Sequence, residues 1–262
     1  MEGTNPLDEP MTAKVSEREG VRIHDLPIAD GAEAFLVEPI GGGRGPAVLW
    51  LHWFDTKAPD GNRTQFLEEA IGLARDHGFV SVLPQGRFPW AGDPTDAGAD
   101  AVRIRDEVAR HRARIDLLAA RTDVDQSRIG LVGHDFGGMH GVLLAAEDAR
   151  IAAAVLIAAT PRWGDWFLPF WKIAGDRHDY LRAMAPLDPI SRIGDIAPRP
   201  ICLQFARNDF FIAGMTGLEL SGAAADPKEL HAYEADHGVR DPQAAVDRAA
   251  FLLGILVGDS NG

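Results

Sequence analysis

The chain has 262 residues, 46% hydrophobic and 25% charged, which is a globular composition with length for one sizeable core. A net charge of −13 excludes nucleic acid and anionic membrane surfaces as partners, because both would repel it. The single cysteine, Cys202, excludes an intramolecular disulfide, and its apolar surroundings read as a core position.

Residues 1–20 are polar and acidic with no apolar h-region, and read as a flexible tail ahead of one domain over 21–262. No uninterrupted apolar run reaches about 18 residues, so no membrane helix is expected and the chain reads as cytoplasmic. Residues 34–37 form a short strand candidate. Residues 47–51 (AVLWL) are continuously apolar, as in a strand covered on both faces. A helix is expected over 62–77, with Phe66, Leu67, Ala70, Ile71 and Ala74 on one face. A strand over 79–83 is stopped by Pro84. A long helix over 100–121 buries Ile104, Val108, Ile115 and Leu118 and turns its charges to solvent. There follow a strand over 128–132, a helix over 136–147, a strand over 152–158, strands over 201–205 and 229–233, and a terminal helix over 243–257. This alternation predicts an α/β domain with a mostly parallel central sheet and helices on both faces. Functional loops then belong at the carboxyl ends of the strands.

The most informative stretch is Gly133-His134-Asp135-Phe136-Gly137-Gly138, between a strand and a helix. It has the G-x-nucleophile-x-G form of a nucleophile elbow. The turn is tight enough that residues two before and two after the central one must be small, and it lifts that residue to a helix N-terminus. On these residues the chain resembles the α/β-hydrolase family from about residue 34 to its end. The resemblance implies a triad in chain order: Asp135 as nucleophile, Asp209 (in ARNDFF) as acid, and His237 (in EADHGV) as base. It also implies an oxyanion hole from the backbone N–H of Phe136 and of Trp53, in the loop after AVLWL. His134 reads as structural, His52 as a residue that ties down its loop and as a pocket candidate, and Asp236 as a weak rival of Asp209.

An aspartate at the elbow resembles the epoxide hydrolases and haloalkane dehalogenases, in which a carboxylate attacks an sp³ carbon and water hydrolyses the alkyl ester. Phe136, where dehalogenases often carry a halide-binding Trp, favours epoxides over halides. The 40-residue interval over 161–199 is short for their cap. It reads as an aromatic-rich lid, with Trp163, Trp166 and Phe167 as pocket or lid residues and Tyr180 as a candidate proton donor; Tyr233 reads as core. The stretch from Met184 to Asp209 instead resembles dienelactone hydrolases and related esterases, in which Asp135 would act as a base on water or replace a serine. Three readings follow: an alkyl-ester hydrolase acting on an epoxide or other activated carbon, an esterase or lactonase, and a binding protein that uses the pocket without catalysis. No phosphate-cradling glycine loop and no His/Cys ligand cluster stands out, so no cofactor and no metal is expected. The expected partner is a small, mostly apolar organic substrate, with a homodimer left open.

Overall fold

A computed structural model describes residues 14–27, 33–55, 57–58 and 61–258. Among these residues one nine-stranded sheet runs in the order β1-β2-β3-β5-β4-β6-β7-β8-β9. Strands β4 (Gly45–Leu51), β5 (Val80–Pro84), β6 (Val124–His134), β7 (Ile151–Ile157), β8 (Ile201–Ala206) and β9 (Lys228–Tyr233) are parallel. Strands β1 (Lys14–Arg18), β2 (Val21–Pro27) and β3 (Glu33–Pro39) add an antiparallel margin that joins β5. Every residue of β4 and β5 is buried, as expected of strands covered on both faces.

Helices α1 (Leu67–His77), α2 (Ala97–Ala120), α3 (Phe136–Glu147) and α8 (Pro242–Leu256) flank the sheet. Two glycines place them. A Cβ on Gly130 would meet Leu252 and Leu256 of α8, whereas a Cβ on Gly141 of α3 would meet Leu131. Adjacent residues of β6 thus face opposite layers, as the two-residue period of a strand requires. The interval after β7 is helical: α4 (Trp163–Phe170), α5 (Arg177–Met184) and α6 (Pro189–Arg192), followed after β8 by α7 (Gly214–Ala223). No described helix is long and apolar enough to cross a membrane.

Three expectations need correction here. The tail expected over 1–20 holds a strand from Lys14 to Arg18; residues 1–13 lie outside the described residues. Helix α1 starts at Leu67 rather than at residue 62, because Asn62 takes a φ of 76°, a left-handed conformation that no α-helix contains. Helix α2 does bury Ile104, Val108, Ile115 and Leu118, but Asp100, Glu107, His111 and Arg114 are buried with them. Its charged residues therefore do not all face solvent.

Candidate active site

The carboxyl ends of β6, β8 and β9 supply the three candidate residues. Asp135 follows β6 directly, at the N-terminal boundary of α3, with φ 55° and ψ −118°. A non-glycine residue held there carries strain of about 1–3 kcal/mol, which the surroundings must impose. Its N–H donates to the Ile157 carbonyl at 2.8 Å, and its carbonyl accepts from the Met139 N–H at 2.9 Å. The glycines make this possible. A Cβ on Gly133 would lie 2.5 Å from the Gly137 carbonyl oxygen, and one on Gly137 would lie 2.4 Å from that of Leu51.

Asp209 lies in the turn after β8. Its Oδ1 accepts from the N–H groups of Phe211 and Ile212 at 2.8 and 2.9 Å, which leaves Oδ2 for the Nδ1–H of His237 at 2.8 Å. The other ring nitrogen of His237, Nε2, is 3.7 Å from Asp135 Oδ2, an electrostatic contact rather than a hydrogen bond. Asp135, His237 and Asp209 therefore converge in the expected order. Asp236 does not compete, because its Oδ1 accepts from Gly238 N–H. Asp135 Oδ1 and His237 Nε2 are both buried without a hydrogen-bond partner.

Charge and burial act against each other here. Burial raises the pKa of Asp135, and the His237 charge and the N–H groups of Phe54 and Phe136 oppose that shift. Burial alone would depress His237, but Asp135 and Asp209 outweigh it and hold the imidazole at about 9.

The backbone donors differ in part from expectation. Phe136 N–H does face the Asp135 carboxylate. Trp53 N–H does not, because it donates to Gln65 Oε1 at 2.9 Å; the next residue, Phe54, turns its N–H toward Asp135 Oδ2 at 3.4 Å. Gln65 sets this register. Its Nε2 also donates to His134 Nδ1 at 2.6 Å, and His134 Nε2–H donates to the backbone carbonyl of His237 at 2.9 Å. A buried chain thus ties the loop after β4 to the loop that carries His237. Nothing in the sequence marked Gln65 or Phe54, since both roles depend on loop contacts across the fold. His52 ties its loop to the next one: its Nδ1–H donates to the Trp53 carbonyl and its Nε2 accepts from Gly86 N–H, both at 2.9 Å.

Most of the lid residues are packed as support for the site. Trp163 is fully buried and donates from its indole to the Leu187 carbonyl at 2.8 Å; Phe167 is fully buried between Phe88 and Phe136. Trp166 stands against His237 and Phe136. Tyr180 is not poised at the site. It is 2% exposed, and its hydroxyl donates to Asp100 Oδ2 at 2.9 Å, anchoring α5 to α2. Tyr233 is buried as read, with its hydroxyl between Gln204 and Asp247. A cavity of about 350 Å³ beside His237 is lined by Trp53, Asn208, Phe210, Phe211, Gly238 and Arg240. A larger one, about 590 Å³, is lined by Phe54, Gln85, Arg87 and Trp90. Among the described residues, Cys202, Glu229 and His231 have ligand-like spacing, at the β8–β9 margin away from the triad. Burial pushes the Cys202 thiol up to about 12, which disfavours the thiolate that a metal needs.

The model of the dienelactone hydrolase family matches residues 61–251, a span that includes the whole triad. The chain belongs to that family. It is accordingly a hydrolase of the α/β-hydrolase superfamily. No curated protein matches the sequence. Among solved structures, an acetyl xylan esterase from Paenibacillus sp. R4 aligns with a TM-score of 0.70 at 16% identity, over 96% of this chain and 91% of that one. A cold-adapted esterase from an Arctic intertidal metagenomic library aligns at 0.65 and 18% identity, over 94% of this chain and all of that one. The 2,6-dihydroxy-pseudo-oxynicotine hydrolase aligns at 0.66 and 18% identity, over 90% of this chain and 68% of that one. At these identities the likeness is one of fold. The family match backs the esterase and lactonase reading over the epoxide reading.

Proposed function

We propose that this chain hydrolyses a small, mostly apolar ester or lactone, with Asp135 as the base that activates water and protonated His237 as the acid. One observation carries the reading: a single imidazole lies between two carboxylates, 2.8 Å from Asp209 and 3.7 Å from Asp135, and keeps its proton at neutral pH. A serine nucleophile needs a neutral histidine to deprotonate it. Here the elbow already supplies a base, so the histidine is free to start as the acid.

The cycle balances. Asp135 Oδ1, which has no protein partner, takes a proton from a water whose oxygen bonds the acyl carbon. As the ester C–O bond breaks, the leaving oxygen takes the proton from His237 Nε2. Asp135 then returns its proton to His237 across their contact, and the site is reset. Asp209 keeps the ring oriented throughout. Phe210 and Phe211 at the cavity beside His237, 88% and 46% exposed, suit an apolar substrate. Asp135 and His237 are only 1% and 5% exposed, so the aromatic shell has to part for entry.

A second reading is favoured by a separate observation. The N–H of Phe54 faces Asp135 Oδ2 at 3.4 Å, that of Phe136 also favours the carboxylate, and Oδ1 has no partner, which leaves it free to attack an sp³ carbon. Asp135 would then form an alkyl ester, as an epoxide-opening enzyme would require. A single turnover in ¹⁸O water, with enzyme in excess over p-nitrophenyl acetate or γ-butyrolactone, separates the two. The base mechanism puts label in the first-formed acid and none in the peptide containing Asp135. Label in that peptide assigns Asp135 as a nucleophile. Failure of both substrates, together with turnover of an epoxide panel, refutes the ester reading.

A further inference from the structure

The backbone donors that the fold implies for an oxyanion are turned elsewhere: Trp53 N–H donates to Gln65 Oε1 at 2.9 Å, Phe54 N–H faces Asp135 Oδ2 at 3.4 Å, and Phe136 N–H favours the same carboxylate. An acyl oxygen that gains charge as water adds must find another donor, because in a water-poor site an unmatched oxyanion is costly.

Beside the triad one buried indole donor lacks an acceptor. The Nε1–H of Trp166 is buried and has no acceptor, and the residue is 7% exposed. Its ring meets that of His237 edge-on, with centroids 5.5 Å apart and planes at 70°, and lies 5.3 Å from the ring of Phe136. Three neighbouring indoles are engaged, Trp163 with the Leu187 carbonyl, Trp171 with Asp93, and Trp90 with the Trp53 carbonyl, while Trp53, its ring 5.3 Å from that of His237, is partly exposed at the cavity and can be solvated. Trp50 also lacks an acceptor, but it packs on Phe66 beside α1. Buried donors without partners are uncommon in folded proteins, and this one adjoins a triad whose own free atoms, Asp135 Oδ1 and His237 Nε2, are also unpaired.

We propose that the indole N–H of Trp166 is the oxyanion donor of this site. The inference rests on the ester and lactone reading above. As the water oxygen bonds the acyl carbon, the C=O pair moves onto the carbonyl oxygen, and Trp166 Nε1–H holds that charge. The pair returns to carbon as the ester C–O bond breaks and His237 protonates the departing oxygen. Because Trp166 belongs to α4, catalysis then requires this helix to be seated over the triad.

The test uses the full chain, with p-nitrophenyl acetate as substrate and a phenyl trifluoromethyl ketone, whose hydrate mimics the water adduct, as ligand. Trp166→Phe is expected to lower kcat about 10²-fold with little change in KM, the usual effect of losing one oxyanion donor. Trp171→Phe, whose indole already has an acceptor, serves as the control with near-normal kcat. With ¹⁵N-labelled tryptophan, the indole resonance missing from Trp166→Phe is expected to move downfield when the ketone binds. β-Benzothienylalanine at position 166 keeps the ring shape and removes the N–H, so it reproduces the loss even if the phenylalanine variant folds poorly. If both substitutions hydrolyse the ester normally and the resonance stays still, while Asp135→Asn is inactive, the proposal is overturned and the ester reading stands. If the wild type neither hydrolyses the ester nor binds the ketone, both fall.

Discussion

His237 lies between Asp209 and Asp135, and the shared charge of these three residues sets the pH range in which the site works. With His237 held at about 9 and acting as an acid, kcat/KM is expected to fall as pH rises through about 9, when the proton is lost. At the other end it falls as Asp135 protonates, at a pH above the ordinary carboxylate value of 3.8, because burial raises that pKa. Asp209→Asn removes one of the two carboxylates and is expected to shift the alkaline limb downward. A profile that climbs through pH 6–7 and stays flat beyond 9 would instead mark His237 as a base. Folding follows the same pair. A histidine raised from 6.5 to about 9 contributes stability that is whole below about pH 6.5 and lost as pH rises through about 9. Asp135 runs in the same direction with pH: burial raises its pKa, so its ionised carboxylate costs stability once pH rises above that pKa. Asp135→Asn is therefore expected to abolish hydrolysis, by about 10³-fold or more, while keeping or raising the melting temperature. A marked loss of stability in that variant would contradict a strained, functional carboxylate.

The elbow between β6 and α3 was the most legible element, because its requirements are local. Glycines at 133 and 137 are dictated by carbonyl oxygens 2.5 and 2.4 Å from where a Cβ would stand, and that constraint survives in the sequence pattern. Gly133→Ala or Gly137→Ala is expected to cost about 2–4 kcal/mol in urea unfolding, since the atoms in the way are backbone and cannot swing aside. A loss below 0.5 kcal/mol would mean that the turn relaxes easily. The loop after β4 was less legible. Sequence reasoning placed its donor at Trp53, but Gln65 takes that N–H and so advances the free donor to Phe54. The start of α1 was misjudged for a related reason: apolar spacing continues through Phe66, while the backbone at Asn62 has already left helical space. Gln65→Leu tests whether this chain of contacts is structural support. It strips partners from Trp53 N–H and His134 Nδ1, and a loss of about 1–3 kcal/mol is expected, with lower kcat because the His237 loop loses its tie. Unchanged stability and rate would remove Gln65 from the site.

At the scale of the whole molecule, the parallel sheet was readable because strands covered on both faces must be apolar throughout, and β4 to β8 largely are. The margin was not: β1 is exposed along its entire length and carries no apolar alternation that would set it apart from a tail. The polar contacts beneath the lid were hidden too, because their partners lie far apart in sequence. Tyr180 shows the consequence. Its place in the lid segment suggested a proton donor, yet its hydroxyl is committed to Asp100, 80 residues earlier, while Asp100 Oδ1 accepts from Thr95 N–H at 2.9 Å. Burial already raises the Asp100 pKa, and the Tyr180 hydrogen bond is one of the contacts that hold it down. Tyr180→Phe removes that donor and leaves a buried carboxylate oxygen without it. Stability is expected to fall by about 1–3 kcal/mol at pH 8. In acid the loss should shrink, because a carboxyl that has taken up a proton no longer needs the donor; a raised Asp pKa always costs stability as pH increases. Urea unfolding at pH 5 and pH 8 reads this directly, with the gap between variant and wild type wider at pH 8. Hydrolysis by the folded variant is expected to keep its kcat, since the hydroxyl ties α5 to α2 rather than facing the triad. A kcat that collapses while stability holds at both pH values would return Tyr180 to the chemistry.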